Sequence, residues 1–149
     1  MSAFVGFICV FLLGLASGVS FSHLLQRGPK RDLPPAEFVA VQRVLLRDCG
    51  AAIGALEVAA LLSTLASAVI MRGQPVASML AGIAAACVLV MLIIWAAWIK
   101  PINRTVNSWT IESFPSNWMD FRERWHLLHL GRLVFSLIAF GAAIGVLIA

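Results

Sequence analysis

Charge is scarce in this chain. Lys, Arg, Asp and Glu make up 12% of its 149 residues and hydrophobic residues 61%, whereas a soluble domain carries about 25% charged residues. Mean hydropathy is +0.95. The few charges avoid the long apolar runs, which is the pattern a bilayer imposes, so a soluble domain is excluded. Proline is missing from the interior of those runs, which argues against the broken helices of inverted-repeat transporters. The three cysteines, Cys9, Cys49 and Cys87, form no C-x-x-C pair and no metal spacing; they read as small packing residues. No Lys or Arg precedes Arg27, and the first apolar run is too long for a signal-peptide core, so it is expected to remain as a helix.

What is present is four apolar spans, at about residues 3–25, 49–71, 76–99 and 129–148. Each is near the ~20 residues that cross ~30 Å of hydrocarbon. The expected architecture is all-α: a single integral membrane domain, a four-helix bundle in the lipid bilayer, with an interfacial segment between spans three and four. Arg27, Lys30, Arg31, Arg43 and Arg47 lie between spans one and two. Lys100, Arg104, Arg122, Arg124 and Arg132 lie between spans three and four or at the mouth of the fourth, and Arg72 alone lies in the other loop. By the positive-inside rule both long connections are cytoplasmic and both termini are on the non-cytoplasmic side. The net charge of +4 is therefore a topology signal and does not call for nucleic acid.

Pro34-Pro35 opens a helix in the first connection, and the Phe38, Val41, Val44/Leu45 spacing predicts an amphipathic entry at the interface that runs on into span two. Arg72-Gly73-Gln74-Pro75 is a tight turn, which makes spans two and three antiparallel neighbours. Gly14/Gly18, Gly50/Gly54 and Gly141/Gly145 form G-x-x-x-G faces that let helix backbones approach. Trp95, Trp98, Trp109, Trp118 and Trp125 cluster at the cytoplasmic end. They read either as an interfacial belt or as walls of a pocket for a flat ligand.

Glu57 has no other acid within eight positions on either side. A carboxylate in hydrocarbon costs about 2.5–3.5 kcal/mol, so it needs a partner, a proton or a wet pocket. In span four, helical spacing aligns Arg122, His126, His129, Leu133 and Ser136, with Trp125 and Arg132 alongside. A stripe that polar should face the bundle interior. Counting inward from the outer ends puts His23, Glu57, His129 and Arg132 near one inner-leaflet level, and a pocket lined by them, by Asn103 and by tryptophans is expected. Plainer readings stand beside this one. Arg132 can snorkel to headgroups, the histidines can make ordinary interfacial hydrogen bonds, and Glu57 can be the structural partner of Arg132 or Arg104. A metal reading also stays open: His23, Glu57, His126 and His129 offer an N/O set of the non-haem iron type. Asn103-Arg104-Thr105 is a glycosylation sequon, expected to be unused on the cytoplasmic side.

Pro101-Ile102-Asn103-Arg104, Trp109, Asn117-Trp118, Arg122-Glu123-Arg124-Trp125, His129 and Arg132 together resemble the signature of the anthrone-oxygenase-like family of small four-helix membrane proteins. His23-Leu24-Leu25, Val41-Gln42-Arg43 and Gly54-Ala55-Leu56-Glu57 resemble its bacterial members. The resemblance implies a multi-pass protein of a bacterial inner membrane that oxidises an anthrone, or another flat phenolic or lipophilic molecule, with dioxygen. No cofactor is expected; haem or non-haem iron is the alternative. Carried onto this sequence, the resemblance and the residue reading make Glu57, His129, Arg132 and Arg122 the candidate catalytic residues. His23, Asn103, Trp109, Trp118 and Trp125 become the candidate substrate-binding residues. The competing class is a non-enzymatic accessory subunit of a larger membrane complex, or a homo-oligomer, binding lipid, quinone or haem. A proton-coupled transporter ranks last, because the outer halves of spans one, three and four offer almost no polar path.

Overall fold

In hydrocarbon every backbone N–H and C=O must find its partner within the chain, so apolar runs of this length become helices. The computed structural model describes residues 2–46, 49–110 and 112–149; the readings of Arg47 and of the Cys49 side chain fall outside them. Four helices are long and apolar enough to cross a membrane: α1 (Ser2–Leu25), α4 (Cys49–Ile70), α5 (Pro75–Ser108) and α6 (Trp118–Ile148). Two shorter helices, α2 (Arg27–Arg31) and α3 (Pro35–Leu46), fill the first connection. Among the described residues there is no strand. Whether α3 runs straight into α4 turns on residues 47 and 48, outside the described set.

The long helices pack as a square. α1 and α5 each pack on α4 and on α6, which leaves α1 diagonal to α5 and α4 diagonal to α6. Small residues make this close approach possible: Cys9, Leu13, Ala60, Ala84, Val88, Ala139 and Ala143 are buried in one cluster, and Met71, Ala77, Ala81 and Val146 close the end by the α4–α5 turn. Phe4, Phe7, Phe11, Leu62, Met79 and Leu137 are exposed on the outside, as a lipid-facing surface requires. The glycine faces are used only in part. Gly14 lies against Phe140 and Gly145 against Leu80, whereas Gly18, Gly50, Gly54 and Gly141 have no neighbour at Cβ range.

The third connection is largely helical. α5 continues past Ile99 to Ser108, and α6 begins at Trp118, which includes the helical entry that aligns Arg122 with His126 and His129. At ~1.5 Å per residue these helices are about 51 and 46 Å long, well beyond ~30 Å of hydrocarbon. Their polar ends break the hydropathy run without breaking the helix. Within α5, Trp95–Ile99 forms one π-helical turn, and the Lys100 N–H bonds back to the Trp95 carbonyl. Pro101 explains this turn: it has no N–H for the Ala97 carbonyl and its ring crowds that oxygen, and a widened turn accommodates both effects.

The helix extensions and α3 build a second core, a cap at this end of the bundle. Phe38 and Val39 pack with Ile99, Ile102, Val106, Trp109, Trp118 and Trp125. Arg43 ties α3 down by donating to the carbonyls of Asn107 (3.0 Å) and Trp109. Trp109, Trp118 and Trp125 are thus packed inside this cap, while Trp98 is exposed as a belt residue would be.

Candidate functional site

The stripe expected on α6 is buried along its length: Arg122, Trp125, His126, His129, Arg132, Leu133 and Ser136 all point inward. On α4 the inward row is Glu57, Ala60, Thr64 and Ser67. Glu57 (2% exposed) and Arg132 (3%) form a buried ion pair across the α4–α6 diagonal. The pairing satisfies both demands at once, since each charge would otherwise sit in apolar surroundings without a counterion. The reading of Glu57 as partner of Arg132 therefore holds. Arg104, the other partner considered, is exposed.

Above this pair, where the bundle meets the cap, lies a cavity of about 330 Å³. That volume is at the lower end of the roughly 300–1,000 Å³ range of small-molecule sites. Its walls come from every part of the chain that reaches this level: Ser22 and His23 of α1, Gln26, Lys30 of α2, Gly50 and Ile53 of α4, Trp95, Ile99 and Asn103 of α5, and Trp125, His129 and Arg132 of α6. Most of the wall is apolar, with a few converging polar groups.

Three aromatic rings form one packed group. The His129 ring lies 4.0 Å from that of Trp125 and 4.1 Å from that of His23, and His23 meets Trp125 edge-on at 5.1 Å. The Trp125 indole N–H donates to the Asn103 side-chain oxygen at 2.9 Å, which fixes both and occupies the sequon asparagine. The His129 Nε2 and His23 Nδ1 atoms are buried without a hydrogen-bond partner.

The other expected site residues lie elsewhere. His126 packs on the far side of Trp125 at 5.2 Å. Arg122 stacks on Trp118 at 4.7 Å and donates to the Arg31 carbonyl; it clamps the cap and does not line the cavity. Trp109 and Trp118 belong to the cap core, and Glu57 reaches the cavity only through Arg132. Among the described residues no three His, Cys, Asp or Glu side chains are placed to hold a metal ion. Glu123 gathers Arg31 at 3.0 Å and Arg27 at 3.5 Å at the cap surface.

Of the tryptophans that read as belt or pocket wall, Trp95 is one that does line the cavity, whereas Lys30 reads in the sequence only as a topology charge. Trp95 reaches the cavity from the π-helical turn. Lys30 is 5% exposed, donates to Gln42 Oε1 at 3.1 Å and lies 5.1 Å over the Trp125 ring. Burial pushes the Lys30 ammonium down to about 8. Nothing in the polar run Gly28-Pro29-Lys30-Arg31 marks one of its cations as buried.

The fold and site define a small helical membrane protein with an aromatic-walled, cation-bearing cavity at one end of its bundle. The chain belongs to the anthrone oxygenase family, whose model matches residues 42–142. Comparison with curated proteins found no match, and comparison with solved structures found none. The family match takes in Glu57, Asn103, Trp125, His129 and Arg132, while His23 and Lys30 lie outside it.

Proposed function

We propose that this protein is an oxygenase that oxidises an anthrone, or a similar flat phenolic and lipophilic molecule, with dioxygen in the cavity between bundle and cap. The observation that carries the reading is the convergence of His129, Arg132, His23 and Trp125 on one largely apolar cavity, in a chain of the anthrone oxygenase family. The basic connections support a reading in which this end of the bundle lies at the cytoplasmic leaflet of a bacterial inner membrane, with both termini on the other side. A lipophilic substrate then enters from the bilayer.

The chemistry follows from the groups present. The substrate lies against the Trp125 ring. His129 Nε2, buried and without another partner, accepts a proton from the methylene carbon opposite the carbonyl. The charge moves to the carbonyl oxygen, where the Arg132 guanidinium stabilises it. Glu57 acts as a positioning residue by holding Arg132. The electron-rich carbon reduces dioxygen and a carbon–oxygen bond forms. The resulting peroxide takes the proton back from His129 to give the hydroperoxide. Loss of the second hydrogen of that carbon as a proton, with cleavage of the O–O bond, leaves a second carbonyl and expels water. One anthrone and one dioxygen give one anthraquinone and one water.

Oxygen uptake on an anthrone by the purified protein in mild detergent, corrected for the protein-free rate, tests this. Catalysed uptake lost in His129→Ala is expected. Uptake no faster than the protein-free rate overturns the oxygenase reading, and full uptake in both His129→Ala and Arg132→Met overturns the site.

A further inference from the structure

Lys30 is a buried cation with no carboxylate paired to it among the described residues. Its ammonium bonds the neutral Gln42 amide at 3.1 Å and faces the Trp125 ring. Two buried or half-buried acids of the described residues are engaged elsewhere: Glu123 with Arg27 and Arg31, and Glu57 with Arg132. Among the described residues no ion pair includes Lys30. A charge out of water needs a counter-charge or enough hydrogen bonds, and one amide plus a ring face leaves donor capacity on an ammonium that has three N–H groups. Lys30 also lines the same cavity as His129 and Arg132, and both Lys30 and His129 pack on the Trp125 indole. Among the described residues the cavity wall carries two cations and no acid, and Arg132 already has its counterion.

We infer that Lys30 is a binding residue for an acidic group on the ligand, so that the molecule this cavity takes is a flat aromatic acid, its carboxylate held by the Lys30 ammonium. The inference rests on the proposed cavity as the substrate site and adds the class of substrate. It also gives the ligand a direction. The carboxylate lies toward α2 and the cap, and the ring system runs along Trp125 toward His129 and Arg132. The depressed proton affinity of Lys30 agrees with a cation waiting for a partner, because an anion beside it restores the charged form.

The test is binding without turnover. Full-length protein in mild detergent is titrated with anthracene-2-carboxylate and with anthracene-2-carboxamide, a neutral molecule of nearly the same shape, at pH 7. The carboxylate should bind at least about tenfold more tightly, as a charge-assisted hydrogen bond at a buried site implies. Lys30→Met should bring the two affinities together, and Lys30→Arg should restore the preference. Equal affinities in the wild-type protein overturn the inference even if Lys30→Met fails to fold. A preference that survives Lys30→Met overturns it as well, as does borohydride trapping of a ketone ligand on Lys30, which would make this lysine a covalent residue. The oxygenase reading fails separately: acid-selective binding without oxygen uptake keeps the Lys30 assignment and removes the activity, and uptake without acid selectivity does the reverse.

Discussion

Glu57 and Arg132 join α4 to α6 across the diagonal of the bundle, although each of these helices packs mainly on α1 and α5. Arg132 lines the cavity, and the pair is a strut of the bundle beneath it. Removing one partner leaves a buried charge without compensation. Glu57→Gln or Arg132→Met should each destabilise the protein by about 3–5 kcal/mol, and Glu57→Gln/Arg132→Met together should cost less than the sum of the two. Thermal unfolding in one detergent checks this, and additive losses would mean that the two side chains do not act as a pair.

His129 separates chemistry from architecture. His129→Ala should lower catalysed oxygen uptake by about 10²–10⁴-fold, the range for a lost general base, and His129→Gln should do nearly the same while keeping the volume. The unfolding midpoint should move little in the glutamine variant. If uptake and stability fall in step, His129 is a packing residue.

Trp125 is held by one hydrogen bond to Asn103. Trp125→Phe keeps a ring against His129 but drops that bond, which is worth about 0.5–1.5 kcal/mol. The expected result is a raised KM for a flat substrate with a smaller change in kcat. A fall in kcat alone would place Trp125 in the chemistry instead.

Arg43 joins α3 to the end of α5 through two backbone carbonyls. Arg43→Met should loosen the cap before it affects the bundle. Limited proteolysis should then cut between residues 109 and 117 faster, at an almost unchanged global unfolding midpoint. Unchanged cleavage would show that the aromatic core holds the cap without Arg43.

The Lys30 ammonium, held down to about 8 by burial against the 10.5 of an unperturbed lysine, makes stability depend on pH in a defined direction. Between these two values the unfolded chain binds the proton and the folded chain does not, so the Lys30 contribution to stability rises with pH across that window. His23, His126, His129 and Arg132 face the same region and are shared with the reference variant. The unfolding midpoint of wild-type protein relative to Lys30→Met should therefore climb from pH 8 to pH 10. A flat difference would mean that Lys30 keeps its proton.

The parts of this molecule that the sequence reveals are those where polarity conflicts with surroundings. Glu57 and the row Arg122, His126, His129 and Ser136 stand out because each is polar inside an apolar helix, and helical spacing alone aligns the row. The reverse case is silent. Lys30 lies in a polar stretch, so burial leaves no mark on its sequence neighbourhood. Hydropathy also ends a span where the lipid ends and not where the helix ends, which hides the continuation of α5 to Ser108. Arg122, Trp109 and Trp118 match the family signature, yet they hold the cap together, since a motif does not separate residues that build a site from residues that touch its ligand.

The widened turn at Trp95–Ile99 has one more consequence. A residue inserted into a helix rotates everything beyond it by about 100° relative to what came before. α5 is therefore two faces in series with a phase offset between them. Its lower half presents Ala84, Val88 and Met91 to the bundle, and its upper half presents Ile102 and Val106 to the cap. Deleting a single alanine at position 96 or 97 would leave a longer uninterrupted ladder and a correctly buried membrane half, yet it would swing Asn103 away from Trp125. The gearing between membrane and cap, and with it the shape of the cavity, depends on that one extra residue.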